Sequence, residues 1–189
     1  MIARTPDILD DGALVVPDFV TPAEEHRILE RIASAPWLRD LNRRVQHYGF
    51  RYDYTSPGAR APAAPFPLWT EHMARRLLEY FRGVLPTQCI VNEYRPGQGI
   101  GMHTDHRDFG AAVASLSLAD DWPMRFRPRN ARPYVRHGAP GDRVLTLPRR
   151  SVLVLRQRAR AEWMHGIDPS DTASRRATRV SATFRTLAG

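Results

Sequence analysis

Apolar positions follow a helical spacing in two N-terminal stretches and then give way to short, alternating runs. Thr21-Pro22-Ala23-Glu24 reads as a capping box with proline at the first helical position. Ile28, Leu29 and Ile32 follow on one face, so a helix is predicted from there to the break at Ala35-Pro36. Trp69, Met73, Leu77 and Phe81 place a second helix over 68–82, and the Pro-, Ala- and Gly-rich stretch 56–67 before it reads as a loop. From Gln88 onward the pattern changes. Segments 88–94, 99–105, 112–118, 123–127, 143–147, 151–156 and 178–185 read as strands separated by Pro, Gly and Asn. Many short strands after a helical start predict an α+β chain, mostly β: a two-sheet sandwich or jelly roll with helices packed on it.

No repeat, low-complexity tract or linker divides the 189 residues, so one domain over 1–189 is expected. With 42% hydrophobic and 25% charged residues the composition is that of a folded chain. The aliphatic run Val152-Leu153-Val154-Leu155 falls far short of the ~20 residues that a membrane span needs. The first eleven residues carry three Asp and no apolar core of a signal peptide. Cys89, the single cysteine, has no internal partner for a disulfide. A cytoplasmic setting without membrane or obligate protein partner is therefore the expectation.

Charge changes the picture. All 28 basic residues are arginine, against 20 acids, a net +8. Residues 1–95 hold 12 Arg and 12 acids, so the excess lies in 96–189, and Arg125–Arg160 contains 11 Arg and one acid, Asp142. Such a stretch is either a solvated face or a surface for a polyanion.

Three groups of residues carry candidate chemistry. In His103-Thr104-Asp105 positions i and i+2 share a strand face, and His165 is available as a third ligand. Two imidazoles and a carboxylate on one side of a metal suit non-haem Fe(II) and O₂ chemistry. A second pair, His106-Arg107-Asp108, has the same spacing and competes for the role. On the strand 179–185, Val180, Ala182 and Phe184 alternate with Arg179, Ser181, Thr183 and Arg185. Two guanidiniums on one face call for an anion, and a dicarboxylate along the strand would use both; an exposed edge strand is the other reading. Asn92 and Tyr94 share a strand face before the Pro96-Gly97 turn, placed either to bind an organic acid or to satisfy each other's surroundings.

As a set, Asn92-x-Tyr94-x-Pro96-Gly97, His103-x-Asp105, Ser115-Leu116-Ser117-Leu118, Trp163-x-His165-Gly166-Ile167 and Arg179-x5-Arg185 resemble, in order and spacing, the AlkB-type Fe(II)/2-oxoglutarate-dependent dioxygenases. The likeness runs from about Gly12 to Arg185 and singles out His103/Asp105 by its distance from Tyr94. It implies a double-stranded β-helix, or jelly roll, over about 88–186, with N-terminal helices and a nucleotide-recognition lid over about 12–87. It implies Fe(II) held by His103, Asp105 and His165 as the catalytic centre, with 2-oxoglutarate and O₂ as co-substrates. Arg179 and Tyr94 would lie near the distal carboxylate, with Asn92, Thr183 and Arg185 completing the pocket. Ser181 stands where the family commonly has Asn.

The activity implied is oxidative demethylation of alkylated DNA or RNA. The alternatives are hydroxylation of a modified tRNA base and oxidation of a protein or small molecule. Arginines and aromatic residues mix over Arg43–Tyr54, which suits phosphates and stacked bases and is similar to the family's lid. Arg51, Tyr52 and Tyr54 are its expected substrate contacts, with a flipped base between the tyrosines; core packing of an amphipathic strand pair is the alternative. Repair members place an acid two residues after the metal-binding Asp. Arg107 occupies that place here and Asp108 follows, so both are expected at the substrate.

Overall fold

Strand neighbours in this fold are seldom chain neighbours. The computed structural model describes residues 8–39, 42–52, 60–131 and 142–187. Strand β1 (Ala13–Val16) leads into α1 (Pro22–Ser34), then β2 (Val45–Tyr48), β3 (Phe50–Tyr52) and β4 (Arg60–Pro62). Helix α2 (Leu68–Arg76) runs on into a 3-10 turn, Leu78–Phe81. The rest is strand-rich: β5 (Gln88–Tyr94), β6 (Ile100–His103), β7 (Phe109–Leu118), β8 (Trp122–Pro128), β9 (Arg143–Leu147) and β10 (Val152–Arg156). Short helix α3 (Gln157–Ala161), β11 (Trp163–Ile167), α4 (Pro169–Thr172) and β12 (Arg179–Leu187) complete it.

A six-stranded sheet has the order β1-β10-β7-β12-β5-β2 and a four-stranded sheet the order β6-β11-β8-β9, with β3-β4 a separate hairpin. One apolar cluster lies on the outer face of the larger sheet. There Val180, Ala182 and Phe184 of β12, with Cys89 and Val91 of β5, meet Ile28 and Ile32 of α1 and Met73 of α2. The second fills the space between the sheets, where Leu153, Leu155 and Tyr94 meet Trp122, Phe126, Trp163 and Ile167. This is the jelly-roll core with N-terminal helices on one side.

Local chemistry explains the element ends. Thr21 Oγ1 accepts the Glu24 N–H at 3.2 Å while Glu24 Oε2 accepts the Thr21 N–H at 2.7 Å, closing the capping box that starts α1. Buried Glu25 then bolts α1 to the sheet, taking the Ala119 N–H at 2.9 Å and Arg149 at 2.6 Å. The expected second helix is shorter than 68–82: after Arg76 it tightens into the 3-10 turn and stops at Arg82, whose φ of 54° is left-handed. Part of the expected loop 56–67 is strand β4. Between β2 and β3, Gly49 has φ +83° and a Cβ there would lie 2.0 Å from Thr87 O, so only glycine fits.

Two sequence expectations change. Strands β1 and β2 come from the N-terminal half yet complete the larger sheet. Much of the arginine-rich stretch Arg125–Arg160 is wired internally, to Asp142 within it and to carboxylates from distant parts of the chain. Arg125 pairs with Asp171 at 2.6 Å, buried Arg127 with Asp142 at 2.6 Å, and Arg149 and Arg150 with Glu25 at 2.6 and 3.9 Å. Arg158 reaches Asp11 at 3.3 Å, and Arg160 bonds three carbonyls. At these positions the arginines are thereby more than a solvated face, while Arg129 and Arg156 stay exposed and Arg132 and Arg136 lie outside the described residues.

Candidate active site

The polar residues of β12 face the space between the sheets, because its apolar alternates are used up on the helical side. β12 is central, flanked by β7 and β5, and not an exposed edge. Its register with β5 sets Arg179 opposite Tyr94, Ser181 opposite Asn92 and Arg185 opposite Gln88. On the other side Thr183 pairs with Ser115, their hydroxyls 3.2 Å apart.

Arg179 is 1% exposed and donates to Ser117 Oγ at 2.8 Å. Its guanidinium lies 5.7 Å from the Tyr94 ring centroid. Its Nε finds no partner, and no carboxylate pairs with it, among the described residues. Burial draws its pKa down to about 10, which leaves it cationic at neutral pH. A buried cation without an anion is costly, so this pocket fits a carboxylate that comes from outside the chain. The other arginine of the strand, Arg185, pairs with Asp105 Oδ1 at 2.7 Å and lies 4.5 Å over the Phe109 ring.

Across the cleft, β6 and β11 pair so that His103 stands directly opposite His165. Their ring centroids are 4.5 Å apart, and His165 Nε2 is 3.6 Å from Asp105 Oδ2. Close approach of the two strands requires Gly166, where a Cβ would meet Ile100 O at 2.8 Å. His103 Nδ1 sits 2.9 Å from Gly101 O; donation there leaves Nε2 with its lone pair. His165 Nδ1 is buried without a partner among the described residues. Burial, with His103 beside it, lowers the His165 pKa to about 3, so its imidazole is neutral. Burial opposes ionisation of Asp105, but Arg185 and the histidines outweigh it and hold the carboxyl well below the usual range. No three donors close on a single point among the described residues. In kind, however, two imidazoles and one carboxylate are the donor set that suits Fe(II).

A family model, 2OG-Fe(II) oxygenase superfamily, matches residues 38–185. The chain belongs to that superfamily. It is an AlkB-type 2-oxoglutarate-dependent dioxygenase, using Fe(II) with 2-oxoglutarate and O₂ as co-substrates. Protein L905 of Acanthamoeba polyphaga mimivirus is 30% identical over 94% of this chain and 85% of its own length. The tRNA (carboxymethyluridine(34)-5-O)-methyltransferase alkbh8 of Xenopus tropicalis is 32% identical over 94% of this chain, but the dioxygenase spans only 32% of that protein. The Arabidopsis thaliana protein named alkylated DNA repair protein ALKBH8 homolog is 30% identical over 92% of this chain and 58% of its own length. Among solved structures OsALKBH1 superposes with a TM-score of 0.66 at 18% identity, over 93% of this chain and 97% of the other, a likeness of fold.

The dioxygenase thus sets His103 and His165 of the smaller sheet, with Asp105, against the inner face of the larger sheet, which carries Asn92, Tyr94, Arg179 and Arg185, the last reaching across to Asp105. The competing pair is turned on itself: His106 Nδ1 lies 3.3 Å from Asp108 Oδ1. Arg107 is exposed, as is Arg51 on β3. Tyr52 lies on β3, and Tyr54 falls outside the described residues. Tyr48 of the same segment packs in the core, as the amphipathic-strand alternative has it. Sequence reading missed Arg160, which is buried and donates to Asp105 O at 2.9 Å, His106 O at 2.8 Å and Phe109 O at 3.4 Å. Nothing in an arginine-rich run marks one arginine as the clamp on the Asp105 loop. No helix is long and apolar enough to cross a membrane among the described residues.

Proposed function

We propose that this dioxygenase oxidises an alkyl group carried by a base of RNA or DNA. The observation that carries the reading is the meeting, in one cleft, of the His103/Asp105/His165 donor set with a buried arginine that lacks an anion. The first group fits the iron and the second the distal carboxylate of 2-oxoglutarate. When bound, the iron and 2-oxoglutarate supply conversion of C–H to C–OH with O₂, releasing CO₂ and succinate. On an N-methyl group the resulting N–CH₂OH breaks its C–N bond, giving formaldehyde and the free N–H. The chain's own part is to hold the donors, fix the carboxylate and present the base. Arg51 and Tyr52 on the β3-β4 hairpin are the proposed contacts for phosphate and base.

A second reading, hydroxylation of a modified uridine, is favoured by Arg107. A guanidinium only donates hydrogen bonds, so an exposed arginine two residues beyond Asp105 matches a base edge with carbonyl oxygens better than an exocyclic amine. It also agrees with the name of the alkbh8 relative. The test is turnover on a panel of methylated DNA and RNA oligonucleotides and of tRNA carrying a modified uridine, with unmodified controls, read by mass spectrometry and formaldehyde release. Formaldehyde release supports demethylation, and retention of an added oxygen supports hydroxylation. If no nucleic acid stimulates succinate formation, the nucleic-acid reading fails.

A further inference from the structure

Arg43 opens the segment that reads, from sequence, as a phosphate- and base-binding lid. In the fold it turns the other way. Its Nε donates to Asn92 Oδ1 at 2.8 Å, and its guanidinium lies 5.3 Å from the Tyr94 ring centroid. That is the same ring approached by Arg179 at 5.7 Å. Both residues of the Asn92-x-Tyr94 pair are therefore held by one side chain from outside their strand. Arg43 can do this because β2 is the edge strand beside β5, with Val45 opposite Asn92, and the two residues before it pass the end of β5. Its neighbour Arg44 goes to the other face, where Glu93 takes it at 2.5 Å. The alternation of β5 thus sorts the two arginines, Glu93 claiming one and Asn92 the other. No carboxylate pairs with Arg43 among the described residues. It also lines a cavity of about 190 Å³ with Asn42, Arg95 and Gln98, so it is reachable from solvent.

We propose that Arg43 is a positioning residue of the 2-oxoglutarate pocket. It fixes the Asn92 amide and the Tyr94 ring in the orientation in which, with Arg179, they receive the distal carboxylate, and it adds a second positive charge beside that ring. The inference rests on the pocket assignment made above. It has a structural corollary: the strand that leads into the β3-β4 hairpin is tied through Arg43 to the co-substrate site, so the lid and the co-substrate share one anchor.

The test uses the Fe(II)-loaded full chain without oxygen and without nucleic acid, which separates it from the substrate reading. Arg43→Gln removes the charge and the stacked plane. Binding of 2-oxoglutarate, measured by calorimetry, is expected to weaken about tenfold. Binding of pyruvate, which has the keto acid but no distal carboxylate, is expected to stay within twofold. Arg43→Lys restores the charge and should recover part of the loss. In aerobic uncoupled turnover the KM for 2-oxoglutarate should rise while kcat changes little. An unchanged affinity for 2-oxoglutarate, an equal loss for pyruvate, or no recovery with lysine would each overturn the assignment. Unfolding midpoints of the variants without 2-oxoglutarate, expected within a degree or two of wild type, separate positioning from general damage; a large drop counts against it.

Discussion

Replacing Arg179 with methionine should make the empty protein no less stable while abolishing most of its response to 2-oxoglutarate. The two effects share one cause. Arg179 is 1% exposed, and the single hydrogen bond of its side chain among the described residues is to Ser117. Exchanging a buried, poorly paired ion for an apolar side chain of similar length is commonly neutral or stabilising by about 1–4 kcal/mol. Ser117 Oγ loses its donor, which offsets about 1 kcal/mol of that. The ligand-free midpoint should hold or rise by a few degrees, at about 2–4 °C per kcal/mol for a chain of this size. With 2-oxoglutarate at a hundred times its wild-type Kd, linkage stabilises the wild-type protein by about 2.7 kcal/mol, or about 5–11 °C. A charge-assisted bond is worth about 1.5–3 kcal/mol, so its loss weakens binding about ten- to hundredfold. The shift at the same concentration then falls to about 0.4–1.4 kcal/mol. Scanning fluorimetry of the metal-loaded protein with and without 2-oxoglutarate reads both numbers. A wild-type-sized shift in Arg179→Met, or a midpoint that drops by the same amount with and without the co-substrate, would refute the reasoning.

Other expectations are simpler. His103→Ala and Asp105→Ala should lose stoichiometric iron in a chelator competition, whereas His106→Ala and Asp108→Ala, altering a pair that faces itself, should keep it. Arg160→Gln should weaken iron binding about tenfold without altering the donor set, because the Asp105 loop loses its three carbonyl bonds; equal iron affinity would make the clamp irrelevant to the metal. Glu24→Ala should cost about 1 kcal/mol at neutral pH through the lost capping box. The Thr21 backbone N–H is the main reason that the Glu24 pKa is lowered in the folded state. Its stabilisation is therefore present above the unfolded carboxylate pKa and lost as pH falls through the folded one. Wild type and variant should converge in acid, and a difference that is constant with pH would show that the carboxylate is not the agent.

Much of the β core was legible because strands such as β12 pair apolar residues on one face with polar ones on the other, while β10 reads as a short run that is apolar on both faces. Segments 88–94 and 143–147 match β5 and β9, and the helix after Thr21 ends one residue before Ala35. Strand β11 escaped notice since Trp163-Met164-His165-Gly166-Ile167 lacks clean alternation and carries a glycine, and its strand state is imposed by β6 and β8 on either side. Strand β1 was missed for a similar reason, a four-residue run becoming a strand when a sheet edge is waiting for it, and β2 entered only as the amphipathic-strand alternative over Arg43–Tyr54. At the site, spacing offered two His-x-Asp pairs and the two arginines of 179–185, and the family resemblance chose His103, Asp105, His165 and Arg179; Asp105 itself lies beyond the end of β6, not on the strand face that the spacing predicts. Arg43 and Arg160 were hidden among 28 like residues, and only tertiary placement distinguishes them from arginines that balance charge.

The central position of β12 bears on how the protein is made. As the last strand of the larger sheet in chain order, it enters the slot between β7 and β5, strands completed about sixty to ninety residues earlier. Before residues 179–187 emerge, β2-β5 and β1-β10-β7 are separate ribbons, each with an unsatisfied edge facing the other. Such a nascent chain holds both histidines and Asp105 yet lacks Arg179 and Arg185, so half of the cleft does not exist. A chain interrupted just before β12 would therefore be a chaperone client or an aggregate, not a weakened enzyme.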